Sequence, residues 1–327
     1  MGYHKFFWSI GKILTQFLYN FTKKLNQVST RREINSSIKT LKISEVYMGL
    51  DNYKNLPKTE YRRILEIYNS ILNPKTGILW LNKKLIKESS YWNICDLTKW
   101  EPFPYFPRKI SGSYSFLPDN GYFHFLVEDL PRFIEAHCFS KNLTSIAGSK
   151  ARYVTQALDI LNKNNYVIYD VPVKVDKVVM SEKINGVIFS KHDLELLKSA
   201  FSPYIKTHAT ESTFISRKDT SGDKFNSRGI DQKKNIEEIF KNEGFNIVYL
   251  EELNFVDQIA LLSRSTRIAG FHGAGLANII WANSASVIEI SKTQKTRHFE
   301  HLSKICSHKY SFFSTLQSIH DLQKVIS

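Results

Sequence analysis

The chain has 327 residues, 42% of them hydrophobic and 23% charged, with 45 Lys and Arg against 31 Asp and Glu. That length suits about two domains with sizeable cores and excludes a disordered or fibrous protein. The net charge of +14 fits an anionic partner, whether nucleic acid, anionic lipid or a phosphorylated ligand.

Residues 1–40 carry Lys5, Lys12, Lys23, Lys24, Arg31, Arg32 and Lys39 against Glu33. Between these charges Phe6, Phe7, Trp8, Ile10, Ile13, Leu14, Phe17, Leu18 and Phe21 recur at the three- and four-residue steps of one helical face. The pattern predicts a basic amphipathic helix. Lys12 and Gln16 interrupt it, so it does not read as a membrane span, and without a small-residue cleavage site it does not read as a signal peptide. Two placements stay open: a helix lying on an anionic membrane surface, or one docked on the protein's own core. The first would put the protein on the inner face of the cytoplasmic membrane. Cys95, Cys138 and Cys306 are widely spaced and odd in number, which fits a reducing cytosol. The glycosylation-type patterns at Asn20, Asn35 and Asn142 then read as chance.

Residues 41–205 mix apolar runs, at 77–81 and 166–169, with loops rich in aromatics and proline such as 100–107. Within them, residues 121–132 read Gly-Tyr-Phe-His-Phe-Leu-Val-Glu-Asp-Leu-Pro-Arg. If this stretch is helical, His124 and Glu128 share a face, while Asp129 is turned about 100° away. A His and a carboxylate on one face form a coupled acid–base pair, and partial desolvation helps a carboxylate accept a proton near neutral pH. Glu128 and Arg132 also have the spacing of an ordinary helical ion pair.

From about residue 206 the periodicity becomes cleaner. Strands are predicted at 213–216, 246–250, 266–270 and 286–290, and helices at 231–243, 255–264, from 274, and near 297–306. This βαβαβαβα succession implies a parallel sheet with helices on both faces, and ligands of such sheets bind beyond the carboxyl ends of the strands. Ser216 and Arg217, His272 and Gly273, and Glu289 fall near those ends. The loop after Arg217 holds Lys218, Gly222, Asp223, Ser227 and Arg228.

The segment 270–278, Gly-Phe-His-Gly-Ala-Gly-Leu-Ala-Asn, lies at the turn from the third strand into a helix. Gly273, Ala274 and Gly275 leave the backbone unobstructed there. Unpaired N–H groups and the positive end of the helix dipole then favour phosphate. The segment does not match the dinucleotide fingerprint: His272 occupies a small variable position and the third glycine is missing. No DxD pair occurs to hold a metal–diphosphate. No recognised nucleic-acid motif is present either, and much of the basic excess lies on the apolar arm. A dinucleotide-binding enzyme and a basic nucleic-acid-binding module are the alternatives these features weigh against.

Taken together, residues 122–132, 214–217, 255–263, 270–282 and 287–290 resemble glycosyltransferase family 61, whose bacterial members are often labelled capsular polysaccharide biosynthesis proteins. The resemblance implies a GT-B fold of two Rossmann-like domains facing across a cleft. Its boundaries would be 1–40 for the arm, 41–205 for the acceptor-side domain, 206–310 for the donor-side domain, and 311–327 for a final helix open to crossing back. It implies an inverting, metal-independent transfer to a glycan or glycolipid acceptor. No cofactor is called for, since the nucleotide sugar, in first place a UDP-sugar, is a substrate. Ser216 and Arg217 would contact the donor's phosphates, as would His272, Gly273, Ala274, Gly275 and Asn278, and Glu289 a ribose or sugar hydroxyl. Glu128 would be the general base, with His124 and then Asp129 as the other candidates.

Overall fold

In a computed structural model, residues 36–43, 47–48, 60–86, 89, 103–140, 142–161, 163, 165–183, 187–217, 233–294, 296–317 and 319–326 are described. The basic arm before Ser36, Cys95, and the loop bearing Lys218 and Arg228 lie outside them. Residues 36–40, at the end of the predicted arm, belong to a strand. The chain divides into two compact units, one ending at Leu197 and the other beginning at Lys198.

The amino-terminal unit runs β1 (Ser36–Ile43), β2 (Tyr47–Met48), β3 (Glu60–Leu72), β4 (Leu79–Leu81), β5 (Lys84–Leu85) and β6 (Arg108–Leu117). There follow α1 (Tyr122–His124), a π turn at Phe125–Asp129 and α2 (Leu130–Phe139). Then come β7 (Thr144–Ala147), α3 (Arg152–Ile160), β8 (Tyr166–Ile168), β9 (Val173–Ser181), β10 (Val187–Phe189) and α4 (Lys191–Ala200), within which the second unit begins. β9 is the pivot of the main sheet, parallel to β6 and antiparallel to β3. From β6 the sheet continues in parallel through β7 and β8. On the other side β3 pairs antiparallel with β1 and β4, and β4 with β5. Strands β9, β6, β7 and β8 thus form a parallel half of the sheet, beside an antiparallel half.

Both sides of the central strands are buried. Leu65 and Ile67 of β3 share one core cluster with Val178 and Met180 of β9, while Ile64 and Val179 meet Ala136 of α2 in another. Strands covered on both faces lose the polar–apolar alternation that marks a half-exposed strand.

The carboxy-terminal unit contains β11 (Glu211–Ser216), α5 (Lys233–Asn242), β12 (Asn246–Tyr249), α6 (Phe255–Ser263), β13 (Ser265–Phe271) and a 3-10 helix at Ala274–Trp281. It continues with β14 (Ser286–Ser291), α7 (His298–Ile305), β15 (Lys309–Ser314) and α8 (Ile319–Ile326). All pairings are parallel, in the order β12-β11-β13-β14-β15. Numbered within the unit this is 2-1-3-4-5, one of the two common doubly wound orders, whose switch point lies between the first and third strands.

One face carries Phe214, Phe271, Ile288, Ile290 and Phe313, packed with Ile236 and Phe240 of α5 and Leu322 and Ile326 of α8. On the other face a Cβ built on Gly270 would come 3.3 Å from Leu276, so the 3-10 helix covers that side. Helices thus lie on both faces, as the sequence predicts.

Two expectations are refined. The segment from 274 is a 3-10 helix, with a first bond from Leu276 N–H to the Gly273 carbonyl at 3.0 Å, and not an α-helix. Residues 309–314 form a fifth strand, where the expected boundaries gave 311–327 to the final helix. The final helix starts at Ile319, and its stripe of Leu322, Val325 and Ile326 packs on the sheet of its own unit. Among the described residues no helix is long and apolar enough to cross a membrane.

Candidate functional site

The amino-terminal cluster is built on the helix from Tyr122 to Phe139, and its geometry starts with two residues. Gly121, at φ +95°, enters the helix through a backbone conformation that side chains disfavour. Pro131 sits one helical step beyond the π turn. It has no N–H to give to the carbonyl four residues back, and its ring crowds that carbonyl. The helix widens just upstream, so that Leu130 N–H bonds to the Phe125 carbonyl, a five-residue step. Such single π turns are often found at functional sites.

Across this turn His124 Nδ1 lies 2.9 Å from Glu128 Oε1. The His124 side chain is 38% exposed and that of Glu128 only 6%. Burial by itself would lower the His124 pKa, but the Glu128 carboxylate, with Asp129 behind it, raises it above the ordinary imidazole value. Arg132 sends its guanidinium to the Glu128 backbone carbonyl at 2.5 Å, rather than standing as a surface ion pair. Asp129 faces elsewhere, as the 100° rotation requires. It is buried in an ion pair with Lys183 at 2.6 Å, and its other oxygen accepts from Asn120.

Further along the same helix, Glu135 belongs to a buried charge network. Arg62 grips Asp193 with two bonds of 2.6 and 2.9 Å and lies 3.5 Å from Glu135. His192 and Ser181 bond the two Glu135 oxygens. Burial would raise the Asp193 pKa, but Arg62 beside it holds the carboxyl down at about 2.

The carboxy-terminal cluster sits at the ends of β11, β13 and β14. β11 and β13 flank the switch point, and the register pairs Ile215 with Gly270 and Gly270 with Glu289. Arg217, just past β11, lies across Gly273: a Cβ there would stand 1.1 Å from Arg217 Nη2. The same nitrogen is 3.4 Å from the His272 carbonyl. Gly273 is therefore glycine because a guanidinium occupies the space of its side chain. Lys233, at the start of α5, donates to the Arg217 carbonyl at 2.5 Å, adding a second cation. His272 Nδ1 lies 2.5 Å from Glu289 Oε1. A ring nitrogen next to a carboxylate carries the hydrogen, which leaves Nε2 for a ligand. Ala274 and Gly275 are half-buried beside His272, at the start of the 3-10 helix.

Other expected donor contacts are placed differently. Ser216 is buried and its hydroxyl donates to Glu237 of α5. Asn278 is fully buried, its amide donating to the Gly275 carbonyl and accepting from Trp281 Nε1. Glu289 is also fully buried, behind His272. These three side chains support the turn and do not line its outer surface. Lys183 and Tyr310 escape a reading by local spacing, because each meets its partner through tertiary contact; Lys233 and Glu237 are four residues apart on α5 and pair at 3.8 Å, but their bonds to Arg217 and Ser216 form only on folding. Among the described residues no three His, Cys, Asp or Glu side chains are grouped to hold a metal ion.

A doubly wound sheet with two cations and a glycine turn at its switch point, in a chain that also carries a helical His–Glu pair, defines an α/β protein equipped for an anionic ligand and for proton transfer. The sequence model of the family described as Glycosyltransferase 61 matches residues 122–288, about half of the chain. The chain belongs to that family and is a glycosyltransferase. The match begins at the helix bearing His124 and Glu128 and takes in Arg217 and the glycine turn. No curated protein matches the chain.

Proposed function

We propose that this glycosyltransferase is an inverting, metal-independent enzyme of GT-B type. It moves a sugar from a nucleotide-sugar donor, a UDP-sugar in the first instance, to a hydroxyl of a growing or lipid-linked cell-surface polysaccharide of the capsular kind. It works in the cytoplasm at the inner face of the membrane, held there by the basic arm. The observation that carries the reading is the convergence of Arg217, Gly273 and His272 at the switch point of the carboxy-terminal sheet, where this fold binds its ligands.

Arg217 supplies a planar fork of donors suited to phosphate, and His272 adds another from Nε2 as the imidazolium, with a hydrogen on each ring nitrogen and Nδ1–H held by Glu289. Both meet the charge that develops on a departing nucleoside diphosphate. The acceptor's proton goes to the His124–Glu128 pair. Glu128 was the first candidate for the base, but exposure favours His124 in that place: His124 takes the proton at Nε2, while Glu128 holds Nδ1–H and stabilises the imidazolium. Asp129, paired with Lys183, takes no part.

Thermal-shift and transfer assays against UDP-, GDP-, CMP- and dTDP-sugars test the donor class. A shift with NAD and none with any nucleotide sugar would overturn it. The pH profile tests the base. Because Glu128 raises the His124 pKa, the rising limb of kcat should lie above pH 6.5, and Glu128→Gln should lower kcat and move the limb to lower pH. A wild-type limb in the carboxylate range would make Glu128 itself the base. Loss of membrane partitioning on deleting residues 2–35 is the expected result for the arm, and unchanged partitioning refutes that part.

A further inference from the structure

Glu289 is fully buried on β14 and accepts on both oxygens. His272 Nδ1 reaches Oε1 at 2.5 Å, and Tyr310 of β15 donates its hydroxyl to Oε2, also at 2.5 Å. Gln294 Nε2 donates to the Tyr310 oxygen at 3.0 Å, and Phe299 holds the His272 ring edge-on at 5.4 Å. Burial, and then the adjacent carboxylate, push the Tyr310 phenol well above its ordinary pKa, so it remains a donor. A carboxylate bonded on one oxygen can pivot and carry the imidazole with it, whereas opposed donors on both oxygens fix its plane. Tyr310 lies beyond the residues matched by the family and contributes to the site from a neighbouring strand.

We propose that Tyr310 is a positioning residue for the donor's diphosphate: acting through Glu289, and steadied by Gln294, it fixes the His272 ring so that Nε2 meets a phosphate oxygen. The inference rests on the reading of the switch point as the donor-phosphate site. It predicts that Tyr310 matters to phosphate binding only while His272 is present, which a general packing role would not produce.

Inorganic pyrophosphate, titrated calorimetrically into the full-length chain, is the probe, since it carries the diphosphate without committing to a base. Tyr310→Phe should weaken binding about tenfold, the loss of one hydrogen bond, in a protein that still unfolds in a single cooperative transition. In a His272→Ala background it should weaken binding no further. Gln294→Leu gives a second measure, with a smaller loss that also vanishes without His272. The proposal is overturned if Tyr310→Phe binds like wild type or loses the same factor in both backgrounds. If Arg217→Ala weakens binding and His272→Ala does not, the relay is wrong while the donor site stands. If neither variant weakens binding, the donor-site reading fails and the relay fails with it.

Discussion

Gly273→Ala separates the fold of the glycine turn from its function. The Gly273 backbone is extended, with φ 161° and ψ 174°, so alanine fits without backbone strain. The added Cβ would stand 1.1 Å from Arg217 Nη2 and 2.3 Å from its Cζ, and the three nearest atoms all belong to that guanidinium. Ordinary contact begins near 3.4 Å, so the guanidinium tip must withdraw by about 2 Å. It can do so by rotating a flexible side chain, which leaves the sheet unchanged. The unfolding temperature should therefore stay within about 2 °C of wild type. Pyrophosphate affinity should fall by roughly 10- to 150-fold, the equivalent of about 1.5–3 kcal/mol for a hydrogen bond to a charged group. Arg217→Ala should show a loss of the same size, and the double variant no more than either. Calorimetric titration and thermal unfolding on the same samples decide the matter. A Gly273→Ala protein with wild-type affinity would refute the placing of Arg217 on the phosphate.

Pro131→Ala removes the cause of the π turn: the helix should tighten, His124 and Glu128 should lose their contact, and kcat should fall while thermal stability holds or rises. Asp193→Asn leaves Arg62 buried with only Glu135, at 3.5 Å, as its anion and should cost about 3 kcal/mol in a denaturant titration. In the wild type, Asp193 has its pKa depressed from 3.8 to about 2. Its contribution of about 2 kcal/mol is therefore fully present above pH 4 and lost as the pH falls toward 2, a dependence the Asn variant should lack when acid unfolding is followed by circular dichroism. Gly121→Ala meets no neighbouring atom, yet its φ of +95° should cost about 1–3 kcal/mol by backbone strain alone, read as a lower midpoint in urea.

The parts of the fold that could be read in advance are those whose burial follows a simple period. β11, β13 and β14 are short apolar runs between helices, and their parallel order follows from that succession. β15 was overlooked because only Phe313 among its residues is buried, so its sequence lacks an apolar run. β3 is hard to read for the opposite reason: thirteen residues with charges at Glu60, Arg62, Arg63 and Glu66 do not resemble a strand until Arg62 is seen inside an ion network. At the site, His124 and Glu128 were legible because one helix positions both. The roles of Ser216, Asn278 and Glu289 were not, since Glu237, Trp281 and Tyr310 claim their polar atoms only after the chain has folded.

A π turn holds one residue more than an α turn, and one residue is about 100° of rotation. The helix from Tyr122 to Phe139 is therefore two helices out of phase, and a wheel drawn from the sequence alone would misassign every position beyond Asp129 by that angle. The offset lets a single element face two tasks. The pair of His124 and Glu128 is set by the turn itself, while Glu135 is carried into the Arg62 network beyond it. The acid–base pair and the buried charge network thus lie on either side of Pro131, joined by the bond from Arg132 to the Glu128 carbonyl.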